Sequence, residues 1–302
     1  MGRRRVLWLA LALLLVWTPF VLNLPFSASA AADIRAITSV IEPPARSLAA
    51  LPLADGGRTR PALSNEAYIR PAFRREMREL RPAIIAAAQR HNQPHSGLSD
   101  REFAVVIAAL LYNENFGWFE EEVAPVREFT PLYQQLQLQV NHAGANLTVW
   151  PANLRPSVAA EILAGTIPMP ASSAPLTRTI RVAGSQIDPA SYANQNQLYA
   201  ALTREIAYPP LAVEYLAANL ERGLYRARAE RVPITWRTLA AWHNQGIVAP
   251  RELATNATAA DYVRRASAYL PAAHGLIDGE PPCQRTQCSL AERVTRALEW
   301  AR

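Results

Sequence analysis

Residues 99–119 read SDREFAVVIAALLYNENFGWF, and this stretch decides the fold. Ser99 followed three residues later by Glu102 is a capping box, which predicts a helix start at Asp100. From Phe103 to Leu111 the helix is apolar on every side. A helix without a polar face belongs at the centre of a domain. At 100° per residue, Phe103, Ile107, Leu110 and Glu114 fall on one stripe. A carboxylate therefore sits on the packing seam, at the helix end where the dipole disfavours an anion. Burial and dipole both favour its neutral form, which is the state a general acid needs. Glu114 is the candidate catalytic residue. The alternative is a helix-end carboxylate that leans into solvent or pairs with an arginine. Tyr112, Asn113 and Asn115 flank it, and Phe116, Trp118 and Phe119 follow. Flat aromatics beside an acid suit the apolar faces of sugar rings, although such a patch also serves as core.

Outward from this helix, periodicity predicts more helices. Residues 72–91 form one that is kinked or broken at Pro82. A short one opens at Arg155-Pro156-Ser157 and stops at Gly165. Residues 195–207 and 210–229 form two, separated by Pro209-Pro210. Thr235 to Trp242 forms another, stopped near Gly246, and residues 258–269 one more. Ser289 to Glu292 is a second capping box and starts a terminal helix. The one strand-like stretch is Thr177 to Ala183, where Ile180 and Val182 alternate with polar residues. The expected fold is mainly α, a bundle around a buried central helix with a small β element.

Composition narrows the function. The 302 residues are 50% hydrophobic and 19% charged, which excludes an intrinsically disordered chain. Two cysteines exclude a disulfide framework and a cysteine-ligated metal module, and neither a metal nor a cofactor is expected. All 31 basic residues are arginine, and the formal charge is +6. Arg3, Arg4 and Arg5 precede an apolar run from Val6, and small residues follow from Ser27 to Ala32. This is the pattern of an export signal with Ala28-Ser29-Ala30 as cleavage site. An uncleaved anchor is the alternative, because the apolar run nearly reaches spanning length. Export places the protein in the periplasm, at the cell wall or outside the cell, with a membrane as partner only if the segment stays. Without residues 1–30 and their three arginines the charge falls from +6 to +3. No cluster of arginine and aromatic residues suggests a nucleic-acid face.

In an exported chain, a short disulfide between Cys283 and Cys288 is expected. Asn146-Leu147-Thr148 and Asn256-Ala257-Thr258 match the glycosylation sequon, which matters only in a glycosylating host. The expected divisions are a signal or anchor at 1–30, a Pro- and Ala-rich arm at 31–65, a main helical domain at 66–270 and an extension at 271–302 with the cysteine pair and a terminal helix.

Three segments in order carry a resemblance: AVVIAALLYNENFGW around Glu114, LTVWPANLRPSVAAEI at 147–162, and LAAWHNQGI at 239–247. Together they resemble the lysozyme-like domain of lytic transglycosylases and goose-type lysozymes. That family has a glutamate ending a buried helix, then a Gly-x-x-Gln-[Ile/Leu]-x-Pro segment leading a helix, then a Tyr-Asn-x-Gly motif. Here Leu154, Pro156, Asn244 and Gly246 match. Trp150 stands at the family's glycine, Asn153 at its glutamine and His243 at its tyrosine.

The resemblance implies cleavage of the β-1,4 bond between N-acetylmuramic acid and N-acetylglucosamine in peptidoglycan glycan strands. Glu114 would protonate the glycosidic oxygen and then act as base, on the muramic 6-hydroxyl or on water. Asn153 and Asn244 would bind N-acetyl or hydroxyl groups. Trp118 and Trp150 would offer stacking surfaces. His243 would hydrogen-bond Glu114 or substrate, or else cap and pack its helix. Glu120, Glu121 and Glu122 either supply a second carboxylate or form a solvated surface. Trp236 and Trp242 are expected in the core. The departures at 150, 153 and 243 motivate the alternative of an inactive lysozyme-like wall-binding or scaffold protein.

Overall fold

The structure, a computed structural model, describes residues 67–115, 130–171 and 173–279. The fold is mainly α with one small two-stranded sheet. Its centre is the helix Asp100–Glu114, here α2, preceded by α1, Pro71–His91. The capping box is complete. Ser99 Oγ accepts from the Glu102 amide, and Glu102 Oε2 accepts from the Ser99 amide at 2.7 Å. Every residue of α2 from Phe103 to Glu114 is buried. Each large aliphatic side chain removed from water here contributes about 1.5–3 kcal/mol.

Helix α1 buries Phe73, Met77, Leu80, Ile84, Ala87 and His91 along one face. It runs through Pro82 without a break, contrary to a broken helix there. Pro82 and Arg78, four residues before it, are both exposed, so water can serve the carbonyl that Pro82 cannot bond.

Next come α3 (Thr130–His142), α4 (Pro156–Leu163), β1 (Thr166–Ile167) and β2 (Leu176–Thr177). Pro156 leads α4, and Gly165 at φ 68° ends its last turn. The strands pair antiparallel, Thr166 with Thr177 and Ile167 with Leu176. The strand expected over Thr177 to Ala183 is therefore a correction, because only Thr177 belongs to the ladder. In the antiparallel register residues 179–183 would have to face residues 164–160, which belong to helix α4 and its end, so no strand is there to extend the ladder. Ile180 and Val182 are nonetheless buried.

The chain continues as α5 (Gln195–Ala207), α6 (Pro209–Glu230), α7 (Trp236–Gln245), α8 (Pro250–Ala254), α9 (Ala257–Ser267) and α10 (Leu270–Asp278). Helix α2 packs against α1, α7, α9 and α10, while α6 packs against α1, α5 and α7. Helix α10 contributes Ala273, Leu276 and Ile277 to the core, so it continues the helical body that the expected boundary at 271 would cut. Trp242 is buried and Trp236 packs partly against the core.

Helix α6 carries an inner row of charge that hydrophobic periodicity does not announce. Glu214, Glu221, Arg222 and Arg226 are all buried, and all are partnered. His91 at the end of α1 lies between the two acids, with Nε2 3.0 Å from Glu214 and Nδ1 2.7 Å from Glu221. Arg90 adds a bidentate pair to Glu214 at 2.9 and 2.6 Å. Arg222 donates to Thr166 O at 2.8 Å and to Glu161 at 2.5 Å, and Arg226 donates to Pro168 O. Two arginines thus hold the short sheet on α6. No described helix is long and apolar enough to cross a membrane.

Candidate active site around Glu114

Glu114 is the last residue of α2 and is 6% exposed. Three side chains from three later elements meet its carboxylate. Asn153 donates from Nδ2 to Oε2 at 2.8 Å. Tyr262, on α9, donates its hydroxyl to Oε1. His243, on α7, places Nε2 3.3 Å from the same Oε1. The acid expected on the seam is therefore buried there and does not lean into solvent.

Each donor has a local reason for its place. Val149 and Leu154 close a four-residue loop by exchanging backbone hydrogen bonds of 2.8 and 3.2 Å. Asn153 ends that loop at φ 53°, the left-handed region that asparagine tolerates better than most residues. Its position just before the bridge aims the amide at Glu114. His243 lies on the last turn of α7, which Thr235 caps and Gly246 ends at φ 81°. Asn256 caps α9 through the Ala259 amide at 3.0 Å, which sets the rotation of Tyr262 two turns on. Burial first, and then the adjacent Glu114 carboxylate, push the Tyr262 hydroxyl well above the ordinary tyrosine range. It therefore serves as a fixed neutral donor.

The imidazole of His243 is almost closed off from water, its side chain 2% exposed. Its Nδ1 is buried without a partner. Of the neutral tautomers, only the Nε2–H form can donate to the carboxylate. At the helix end, Arg70 donates to Asn115 Oδ1 at 3.2 and 3.0 Å and to Asn115 O at 3.4 Å. A guanidinium there offsets the negative end of the α2 dipole, which otherwise opposes the Glu114 charge.

The predicted site residues are thus brought together in part. Glu114, Asn153 and His243 converge. Asn244 does not join them; its Oδ1 accepts from Gln245, whose own carbonyl accepts from Asn256 at 3.0 Å. Trp150 turns its half-buried ring onto Phe73, with centroids 6.0 Å apart, and its Nε1 is buried without a partner. Trp118, the acidic run at 120–122 and the Cys283–Cys288 pair lie outside the described residues. Both sequon asparagines use their amides internally. Asn146 bonds Ser157 at 2.9 Å and Asn256 bonds Gln245 at 3.0 Å.

Tyr262 is the site residue that sequence reasoning missed. Its signal was faint: a tyrosine on the buried stripe of an amphipathic helix, with Ala259 and Ala266. Among the described residues, no second carboxylate is hydrogen-bonded to this cluster, and no group of three or more acidic, histidine or cysteine side chains could hold a metal.

The two oxygens of Glu114 are not equivalent. Oε1 faces the tyrosine and the histidine inside the core. Oε2 faces the half-buried Asn153 loop and accepts a single hydrogen bond. Oε2 therefore keeps acceptor capacity that Asn153 alone does not use. Comparison with family models, with curated proteins and with solved structures gives no significant match.

Proposed function

We propose that this is an exported peptidoglycan-cleaving enzyme of the lytic transglycosylase or lysozyme type, with Glu114 as its general acid and base. The observation that carries the reading is the convergence of Asn153, Tyr262 and His243 on one buried carboxylate that ends an apolar helix. In this reading Oε2 gives a proton to the glycosidic oxygen between N-acetylmuramic acid and N-acetylglucosamine. It then removes one from the muramic 6-hydroxyl, which leaves a 1,6-anhydro end, or from water. A substrate that supplies its own nucleophile needs no second enzyme carboxylate, whereas ordinary glycosidases use a pair. Tyr262 and His243 hold the plane of the acid, and Asn153 steers Oε2 and reaches substrate amide or hydroxyl groups.

The test is digestion of purified peptidoglycan followed by mass spectrometry of the released muropeptides. Wild type should release them and Glu114→Gln should not. Identical product profiles for the two would end the proposal.

One observation favours a second reading, a non-catalytic wall-binding or scaffold module. Glu114 is nearly closed off and accepts from residues that also tie α2 to α7 and α9, so it can serve as a structural link alone. Under that reading, wild type and Glu114→Gln both sediment with insoluble peptidoglycan and neither releases fragments.

A further inference from the structure

Helix α3 is amphipathic the wrong way round. Its inner face buries the polar side chains Thr130, Gln137 and Asn141. Asn141 binds both the carbonyl and the amide of Leu147, at 2.7 and 2.8 Å, and Gln137 donates to the Tyr133 hydroxyl at 3.0 Å. Its outer face exposes Leu132, Leu136 and Val140, at 63, 54 and 39%. Spaced by four, these three form one ridge about 12 Å long. Among the described residues the only other exposed large hydrophobic side chain is Tyr208, which follows α5, the helix on which α3 packs. The Asn141 bonds fix the rotation of α3, so the ridge cannot roll inward. It gains burial only from outside the body.

The chemistry of the ridge selects what covers it. Sugar rings rest on flat aromatic faces, and the ridge has none. A helix that lies on a lipid surface carries Lys or Arg beside its apolar face, and α3 carries neither. A second copy of this chain fits on two counts. The chain is 19% charged with a formal charge of +6, yet residues 130–154 hold no Asp, Glu, Lys or Arg. Two cationic copies repel, and least of all across a face without charge. The ridge is also close to palindromic, with Leu132 and Val140 four residues to either side of Leu136.

We propose that α3 pairs with α3 of a second copy, antiparallel about a two-fold axis at Leu136. Leu136 of one copy meets Leu136 of the other, and Leu132 meets Val140 at both ends. A single helix pair about 20 Å long buries less than the ~1,200 Å² at which standard stable interfaces begin, so the dimer is weak and depends on concentration. The inference stands apart from the Glu114 chemistry, so Glu114→Gln pairs as wild type does.

Sedimentation equilibrium of the full chain, from about 5 to about 300 µM, tests it. A monomer–dimer equilibrium is expected. Leu136→Glu, at an exposed position, should weaken it at least tenfold without moving the thermal midpoint. An equal mixture of Leu136→Glu and Leu136→Arg should pair again, because the axis sets opposite charges face to face. A monomer throughout this range, a dimer that survives Leu136→Glu with the fold intact, or a charged mixture that stays monomeric would each overturn the proposal. So would phosphatidylcholine vesicles that bind wild type but not Leu136→Glu in place of a dimer, which would give the ridge to a membrane.

Discussion

Asn153 reaches Glu114 across 39 residues of chain to donate at 2.8 Å, and it does so from a left-handed backbone at φ 53°. The same residue thus satisfies a buried acid and tolerates a conformation that most side chains resist. These two roles can be separated. Asn153→Gly loses the hydrogen bond but relaxes the backbone, whereas Asn153→Ala loses the bond and keeps the strain. We expect the alanine variant to be less stable than the glycine variant by about 1 kcal/mol. Urea unfolding of the pair checks this, and equal midpoints would show that the backbone at 153 is not strained.

Tyr262→Phe removes the hydroxyl from Oε1 and nothing else. A hydrogen bond to a buried charged group is worth about 1.5–3 kcal/mol, so a loss of that order is expected. In the Glu114→Gln background the same change should cost less, because the charge is gone. A double-mutant cycle by denaturant unfolding measures the coupling, and additivity would place the hydroxyl outside the carboxylate's influence.

Glu114→Gln should lower turnover of peptidoglycan by about 10²–10⁴-fold, the range supplied by a positioned acid or base. Its stability should change far less than its activity, because the amide keeps the shape of the side chain. Muropeptide release at matched folded fractions reads both.

The ring of His91 gives stability a pH dependence. Burial pulls the imidazole down, but the hydrogen bonds and charges of Glu214 and Glu221 outweigh burial and hold it above the ordinary histidine value. Its contribution is therefore full below the unfolded histidine value, about 6.5, and is lost as pH rises through the folded one. Glu214 behaves in the opposite sense. Burial raises it, but His91, Arg90 and the Ala183 amide bring it down to about 2. Its contribution is present above the ordinary glutamate value and is lost as pH falls toward 2. Thermal midpoints of wild type and His91→Gln should converge as pH rises from 6 to 9. A constant gap across that range would place the titration elsewhere.

Much of the helical frame was legible in the sequence because its signals are local. Ser99 with Glu102, Pro156 with Gly165, and Thr235 with Gly246 each mark a helix end through a bond or a dihedral that neighbouring residues decide. Glu114 was legible because one residue on an apolar stripe was charged. Tyr262 was not, because its meeting with Glu114 depends on how α9 docks, and docking is a long-range outcome. Trp150 shows the same limit from the other side. Its type suits a sugar platform, but the loop that carries it turns the ring onto Phe73. The inner charges of α6 were equally hidden, since a helix that buries glutamate and arginine reads as amphipathic until its partners are known.

Glu114 draws its hydrogen bonds from residues far later in the chain, Tyr262 being 148 positions away. The acid is consequently the last part of the site to be completed as the polypeptide emerges. A chain cut before α9 lacks the Tyr262 hydroxyl that donates to Oε1. The site is thereby tied to synthesis of the chain through α9: no fragment that ends before Tyr262 carries all three donors.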